Sequence, residues 1–205
     1  MGDHTAFFYG TLMAPGVLHR VIYGTHDPEP WQKNSLTVRP AMLQSYRRHR
    51  VRNADYPAVI PHDNSCVRGS VVTGLTEGDL YRLDIFEGYQ YSRQKVKVQV
   101  LKDVGLDQAA EEGKTEVVEE VEAETYIWED GEDTLDPVEW DFEEFKRDKM
   151  KAWAGMAEYG DGADVDEGFA DVDRAVAEQE KAGHDPMGGR GTNGHIGQQL
   201  KEAAV

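Results

Sequence analysis

The chain has 205 residues, enough for one sizeable hydrophobic core, and it carries 22 Lys and Arg against 39 Asp and Glu, a formal net charge of −17. The excess acid lies in the second half: residues 1–100 hold 12 basic and 9 acidic side chains, whereas residues 101–205 hold 10 and 30. This charge disfavours nucleic-acid and anionic-membrane binding, and the absence of a long apolar run or a basic-then-apolar leader predicts a cytoplasmic protein without membrane association.

The first half of the chain contains aromatic and β-branched runs separated by turn-forming residues. The first run is aromatic and ends at Gly10, and Pro15 can occupy the first turn of the helix that follows. In order, the patterns predict a strand at 5–9, a helix at 12–23, a loop at 25–34, an extended segment at 36–51, a short apolar run at 56–60, a turn at 62–65 and a strand at 67–75.

The second half begins with a helix that starts after Thr76 and stops at Gly88. The next segment alternates polar and valine side chains, as a half-buried strand does. Asp136 and Pro137 have the residue types of a helix N-cap and first turn. We therefore expect a helix at 76–88, strands at 92–101 and 117–128, an acidic loop at 103–116 and a last helix from 136 to 153.

After Trp153 the composition changes, because residues 155–205 hold 10 of the 21 glycines and few large apolar residues. Such a segment buries too little surface to offset the entropy of ordering. We predict a folded domain at 1–154 and a glycine-rich, acidic, mostly disordered tail at 155–205, with a short helix near 171–182. Because most strands follow one another without crossover helices, the fold class is α+β, a small mixed, mainly antiparallel barrel-like sheet with flanking helices.

The sequence carries no metal-binding pattern. The seven histidines form no His-x-x-x-His pair, Cys66 is the single cysteine, and the acidic runs at 111–124 and 129–144 do not match a calcium-binding loop. We therefore expect no metal.

Four arginines stand within six positions, at 47–52. Such a run could bind phosphate or place one guanidinium against a substrate carboxylate. We interpret it as a solvated edge strand that its charge protects from aggregation.

Two short segments carry features that the fold alone does not explain. In the first, an aromatic strand runs into Gly10 and Thr11, where a glycine lets the backbone turn and a ligand approach closely. In the second, Glu87 falls at the C-terminal end of the predicted helix, just before Gly88. The helix dipole disfavours a carboxylate there and raises its pKa.

Together these segments resemble a known family. Phe8-Tyr9-Gly10-Thr11-Leu12, followed by Leu83-Asp84-Ile85-Phe86-Glu87-Gly88 with Tyr91 and Arg93, is similar to the γ-glutamylcyclotransferase-like family, and most to its avirulence-induced-gene type of plants and fungi. The resemblance spans about residues 5–130. It implies a γ-glutamylcyclotransferase-like fold, which agrees with the barrel-like sheet expected above.

The resemblance also implies an activity and its residues. In that family the turn after the first strand holds a γ-glutamyl group, and the glutamate of the second motif is the general acid and base. The α-amine of the substrate attacks its own side-chain carbonyl and releases 5-oxoproline and an amine, without a cofactor. Glutathione, γ-glutamyl amino acids and γ-glutamylamines all remain open as the small-molecule partner, and the oligomeric state is open too. Carried over, the catalytic residue is Glu87, and the substrate-binding residues are Tyr9, Gly10, Thr11, Leu12, Met13, Tyr91 and Tyr126.

A second hypothesis is a non-catalytic interaction module of the same fold, which uses its acidic tail to bind a basic partner. The net charge of the second half favours it. The position of the Glu87 carboxyl group relative to the turn at residues 9–12 distinguishes the two hypotheses.

Overall fold

Five strands close into a barrel in the computed structural model, which describes residues 2–102, 116–153, 163–185, 187, 188, 190, 196 and 199. The barrel order is β1-β3-β2-β4-β5, and every neighbouring pair is antiparallel except β1 with β5. The predicted mainly antiparallel, barrel-like sheet is therefore confirmed. The strands are β1 (His4–Phe8), β2 (Thr37–Arg50), β3 (Pro57–Leu75), β4 (Tyr91–Leu101) and β5 (Val117–Trp128).

Strand β3 is longer than expected, because the turn predicted at 62–65 is a bulge inside it. The β2–β3 register slips here, since Gln44 faces Cys66 while Tyr46 faces Pro61. Asn64 adopts a left-handed backbone with φ of 62°, and the polar side chains of the bulge are solvent-exposed. Turn-forming residues thus bend the strand without ending it.

The barrel interior is filled by side chains that alternate along each strand. In β4 the valines at 96, 98 and 100 are buried, whereas Lys95 and Lys97 point outward and pair with Glu122 and Glu120 of β5. The alternation predicted for this strand is confirmed. The interior cluster consists of Phe7, Tyr9, Ala41, Leu43, Val59, Val67, Val71, Val96, Val98, Val100, Ala123 and Ile127.

Helices pack against the outside of the barrel and form a second apolar core there. A three-residue 3₁₀ helix, Thr11–Met13, follows β1, and another lies at Glu132–Thr134. None of the described helices is both long and apolar enough to cross a membrane. The α-helices are α1 (Pro15–Tyr23), α2 (Pro30–Lys33, within the predicted loop), α3 (Glu77–Glu87), α4 (Phe142–Asp148), α5 (Met150–Trp153) and α6 (Ala163–Lys181).

The helix expected to start at Asp136 starts instead at Phe142. Asp141 is the N-cap, and its carboxylate accepts hydrogen bonds from the N–H groups of Glu143 and Glu144 at 2.7 and 3.0 Å. The N–H of Asp136 donates to the carbonyl of Arg50 at 2.9 Å. The predicted start is therefore wrong, because this segment pairs with the end of β2 before it turns into a helix.

The arginine run at 47–52 fastens this same segment and is not a solvated edge. Arg48 is mostly buried, donates to the carbonyl of Tyr9 at 2.9 Å, and lies over the ring of Trp140. Arg50 and Arg52 pair with acidic side chains of the segment at 3.6 and 3.3 Å. Arg47 donates to the carbonyl of Pro137 at 3.2 Å, so the four guanidinium groups attach the chain around residues 136–144 to the barrel.

The helix expected near 171–182 is confirmed and is longer than expected, since α6 spans Ala163–Lys181. It packs against α3 and α1: Phe169 and Val172 are buried, and Asp173 accepts two hydrogen bonds from Arg20 at 2.9 and 2.7 Å. The composition did not predict this docking, because two buried apolar side chains are enough to pack α6 against α3 and α1. The acidic loop and most of the residues after 185 lie outside the described residues.

Candidate active site

Glu87 is the last residue of α3, as the sequence predicts. The helix begins with a reciprocal cap, in which Thr76 Oγ1 accepts from the N–H of Asp79 at 3.2 Å and Asp79 Oδ2 accepts from the N–H of Thr76 at 2.8 Å. It ends at Gly88, whose φ of 74° favours glycine. The two signals that bound this helix in the sequence therefore determine where Glu87 is placed.

A pocket of about 240 Å³ lies between the end of β1 and the end of α3. Glu87 lines it together with Tyr9, Gly10, Thr11, Leu12, Tyr91 and Tyr126 of the expected binding residues. Met13 is buried in the core between barrel and helices and is not among the lining residues. The described lining consists of Phe7, Phe8, Tyr9, Gly10, Thr11, Leu12, Tyr56, Pro57, Ile85, Phe86, Glu87, Gly88, Tyr89, Gln90, Tyr91, Tyr126, Trp153, Gly168 and Asp171.

The turn at residues 9–12, hereafter the 9–12 turn, forms one wall. Gly10 lies so close to Pro57 that a Cβ atom on it would come within 2.7 Å of the proline ring, so the close approach requires glycine. The following 3₁₀ helix is closed by the N–H groups of Met13 and Ala14, which donate to Gly10 and Thr11. Within the described part of the chain the N–H groups of Thr11 and Leu12 donate no hydrogen bond, as expected for a first helical turn.

Three tyrosines surround the carboxyl group of Glu87. Tyr9 Oη donates to the carbonyl of Tyr126 at 2.6 Å, Tyr91 Oη donates to the carbonyl of Pro57 at 3.0 Å, and Tyr126 Oη donates to Asp84 at 2.9 Å. Burial, and secondarily the negative charge of Glu87, raises the pKa of Tyr9 and of Tyr126. Burial also raises the pKa of Tyr91, so all three side chains remain neutral phenols at physiological pH.

Glu87 retains its proton more strongly than an ordinary glutamate does. Burial, followed by the charge of Asp84 one turn earlier, raises its pKa from 4.5 to about 8. Among the described residues it has no hydrogen-bond donor or cationic partner to offset this. Asp84 itself pairs with Arg93 at 2.8 Å, so the nearby cation neutralises Asp84 and not Glu87.

Several pocket residues were missed by sequence reasoning. Pro57 is the first residue of β3, Tyr56 directly precedes that strand, and Trp153 comes from α5. Gly168 and Asp171 come from α6, within the segment expected to be mostly disordered. No sequence signal connects Gly168 and Asp171 to the motifs, because more than 80 positions separate each of them from Glu87. Among the described residues, no three His, Cys, Asp or Glu side chains are grouped as a metal site would require.

Known proteins resemble this chain along most of its length. Residues 6–144 match the family described as Gamma-glutamyl cyclotransferase, AIG2-like. Protein AIG2 C of Arabidopsis thaliana is 32% identical over 144 residues, 70% of this chain and 73% of the relative. AIG2-like protein B of the same plant is 33% identical over 150 residues, 73% of each chain. A solution structure of an A. thaliana protein, 25% identical, covers 87% of this chain and 84% of its own with a TM-score of 0.49.

Proposed function

The chain belongs to the AIG2-like γ-glutamyl cyclotransferase family, and we propose that it catalyses the cyclisation of a γ-glutamyl amide to 5-oxoproline, with Glu87 as general acid and base. One observation carries the proposal. The pocket that holds the 9–12 turn also holds a glutamate whose pKa lies near 8. The shared pocket of Glu87 and the 9–12 turn supports this proposal over the alternative interaction module, for which we expected Glu87 to be exposed and far from that turn.

The reaction needs a group that removes a proton from an amine and returns it to another. The α-nitrogen of the substrate attacks the γ-carbonyl carbon, the ring closes, and the amide bond to the leaving amine breaks after that nitrogen takes up a proton. An α-ammonium has a pKa of ~7.7–8.0, so proton transfer to a carboxylate with a pKa of about 8 is nearly balanced in free energy. An ordinary glutamate would be too weak a base for the first transfer.

Substrate binding supplies the positive charge that Glu87 lacks. The ammonium group of the γ-glutamyl moiety is such a charge, and an opposite charge nearby favours the ionised carboxyl group. Glu87 is therefore protonated in the empty pocket at neutral pH. When the ammonium substrate binds, Glu87 releases that proton to the solvent, and the resulting carboxylate can take a proton from the ammonium group. Glu87 can then return the proton of the ammonium group to the leaving amine.

The 9–12 turn has the second role, which is to fold the substrate into its reactive conformer. Nucleophile and electrophile belong to one molecule, so correct positioning supplies much of the rate enhancement. The N–H groups of Thr11 and Leu12, which have no partner among the described residues, are donors for the substrate carboxylate or for the oxyanion that develops on the γ-carbonyl.

The proposal is tested by measuring release of 5-oxoproline from glutathione, a γ-glutamyl amino acid and a γ-glutamylamine. We expect turnover of at least one of these compounds by the wild-type protein. Glu87→Gln keeps the shape of the side chain but removes the titrating group, so kcat falls by about 10²- to 10⁴-fold.

Glu77→Gln is the matched control. Glu77 is the first residue of the same helix and its side chain is 83% exposed, so the change removes the same charge at the far end of α3. We expect wild-type turnover in this variant. Equal turnover in Glu87→Gln would exclude the proposed role of Glu87, and no release from any compound would reject the activity.

A further inference from the structure

The described lining of the pocket has an uneven charge. It contains two acidic side chains, Glu87 and Asp171, and no Lys, Arg or His side chain. A substrate whose leaving portion carries a carboxylate would therefore find no cation in this lining and would be repelled by Asp171. The charge distribution instead suits a leaving portion that is positive.

Asp171 lies at the rim of the pocket, on α6. Its side chain is 52% exposed, and Arg174 on the next turn of the helix donates to Oδ1 at 2.8 Å. Arg174 is more exposed and is not among the lining residues. Oδ2 accepts no hydrogen bond among the described residues, so one carboxylate oxygen remains available to a ligand.

The position of Asp171 is set by its neighbours on α6. Phe169 packs on Phe86 with ring centroids 5.1 Å apart, and Asp173 forms a two-point ion pair with Arg20 of α1. These contacts fix the helix on both sides of Asp171. The carboxylate is thus presented by a packed element, which gives more precise recognition than a loop would.

Aromatic side chains accompany Asp171 along the same pocket. Tyr56, Phe86 and Trp153 all line it, and Trp153 packs edge-on against both of the others. Aromatic faces attract cations, and a carboxylate with neighbouring rings is a common environment for an ammonium group. The rim therefore combines two features that favour the same ligand charge.

We propose that Asp171 determines substrate specificity by favouring γ-glutamyl amides whose leaving amine carries a second, positively charged group, and by disfavouring those that carry a carboxylate. The inference rests on the proposed cyclotransferase function of this pocket. Asp171 lies beyond residues 6–144, the part of the chain that matches the family, so the family match does not assign it a role.

The test uses three synthetic amides of the γ-carboxyl group of glutamate that differ only at the far end. Each has a chain of four methylenes, which ends in an ammonium (the diaminobutane amide), a methyl (the pentylamide) or a carboxylate (the aminopentanoate amide). For the wild-type protein we expect kcat/KM to fall in that order. In Asp171→Asn the ratio of ammonium to carboxylate substrate should fall about three- to tenfold, as for a partly exposed charge pair.

Two controls isolate the position of the charge. Glu178→Gln removes a carboxylate from α6 two turns further on, outside the pocket lining, and should leave the ratio unchanged. Raising the salt concentration should shrink the wild-type preference, since exposed charges are screened. A wild-type preference for the carboxylate substrate, or an unchanged ratio in Asp171→Asn, would overturn the proposal.

A binding measurement separates this inference from the proposed function. Calorimetry with the ammonium and carboxylate amides is performed on Glu87→Gln, and on the same variant with Asp171→Asn added. Tighter binding of the ammonium amide that depends on Asp171 supports the specificity role even if no 5-oxoproline is released. Equal affinities of the two amides for Glu87→Gln would reject it even if turnover is observed.

Discussion

Several features of the structure disfavour the ionised form of Glu87. It ends a helix, where the dipole disfavours negative charge, it is partly buried, and Asp84 stands one turn away. Arg93, the cation beside Asp84, is paired with Asp84 and with Glu124. A residue held in its protonated form in this way reduces the stability of the fold at alkaline pH, and such a cost is typical of a functional site.

We predict that Glu87→Gln is more stable than the wild type at alkaline pH. In the folded protein Glu87 keeps its proton up to about pH 8, while in the unfolded chain it loses the proton near its ordinary value of 4.5. Between these values the folded state binds more protons, so the wild-type free energy of unfolding falls as pH rises. Glu87→Gln has no titrating group at this position, so its free energy of unfolding does not fall with pH for this reason. The variant should therefore be more stable than the wild type at pH 8 by about 1–3 kcal/mol.

Urea unfolding of both proteins at pH 5.5 and pH 8 measures this difference. The advantage of Glu87→Gln should be small at the lower pH and largest at the higher one. An advantage that is the same at both pH values, or a variant less stable at pH 8, would contradict the raised pKa. Glu77→Gln serves again as the control, because it removes an exposed carboxyl group from the opposite end of the same helix.

At the scale of the elements, α3 is the helix on which the site depends. Its C-terminal end carries Glu87, its N-terminal end carries the buried Asp79, and α1 and α6 pack against it. The aromatic contacts that join α5 and α6 to it centre on Trp153, which meets Phe86 and Phe169 edge-on. The pocket wall formed by α6 therefore depends on contacts that also position α3.

We predict that Phe169→Ala destabilises the whole fold. Removing a buried aromatic ring costs the burial of its surface and leaves a cavity, here about 2–4 kcal/mol. Tyr89→Ala is the matched control, because Tyr89 is 91% exposed and its loss should change stability by less than about 0.5 kcal/mol. Urea unfolding followed by tryptophan fluorescence makes the comparison. An unchanged midpoint for Phe169→Ala would mean that α6 is not part of the cooperative unit.

At the scale of the whole molecule, the C-terminal segment is joined to the helical layer at a second point. Arg190 is buried and pairs with Asp79, which also binds Arg82 at 2.5 Å. The backbone carbonyl of Arg190 accepts a hydrogen bond from Gln32 at 2.6 Å, and its guanidinium lies over the ring of Tyr23. Through these contacts one residue near the chain end connects α1, α2 and α3.

We predict that Arg190→Ala lowers the free energy of unfolding by about 1–3 kcal/mol. The variant removes one of two guanidinium partners of a fully buried carboxylate, so Arg82 limits the loss. Arg174→Ala removes an arginine that is 67% exposed and should stay within about 0.5 kcal/mol of the wild type. Chemical unfolding of the full-length chain compares the two variants. Equal stabilities would show that Arg190 does not hold the C-terminal segment to the fold.

Local patterns predicted most of the fold. The alternation of Val96, Val98 and Val100 identified β4, and the signals at Thr76 and Gly88 bounded α3, since each depends only on neighbours in the chain. The same reasoning was wrong at 62–65 and at Asp136. There the turn-forming residues meet a partner strand, which turns a stop signal into a bulge or an extended pairing. Such partners are distant in sequence, and no local pattern describes them.

Part of the candidate site could likewise be predicted from local patterns, and part could not. The two motifs, and with them Glu87 and the 9–12 turn, could be identified from the sequence, because a helix end and a strand end are local features. Three further properties follow from the folded chain: the motifs meet in one pocket, burial and Asp84 raise the pKa of Glu87, and Asp171 lies at the rim. Burial, charge proximity and the docking of α6 depend on which surfaces the folded chain brings together, and the order of residues does not state this.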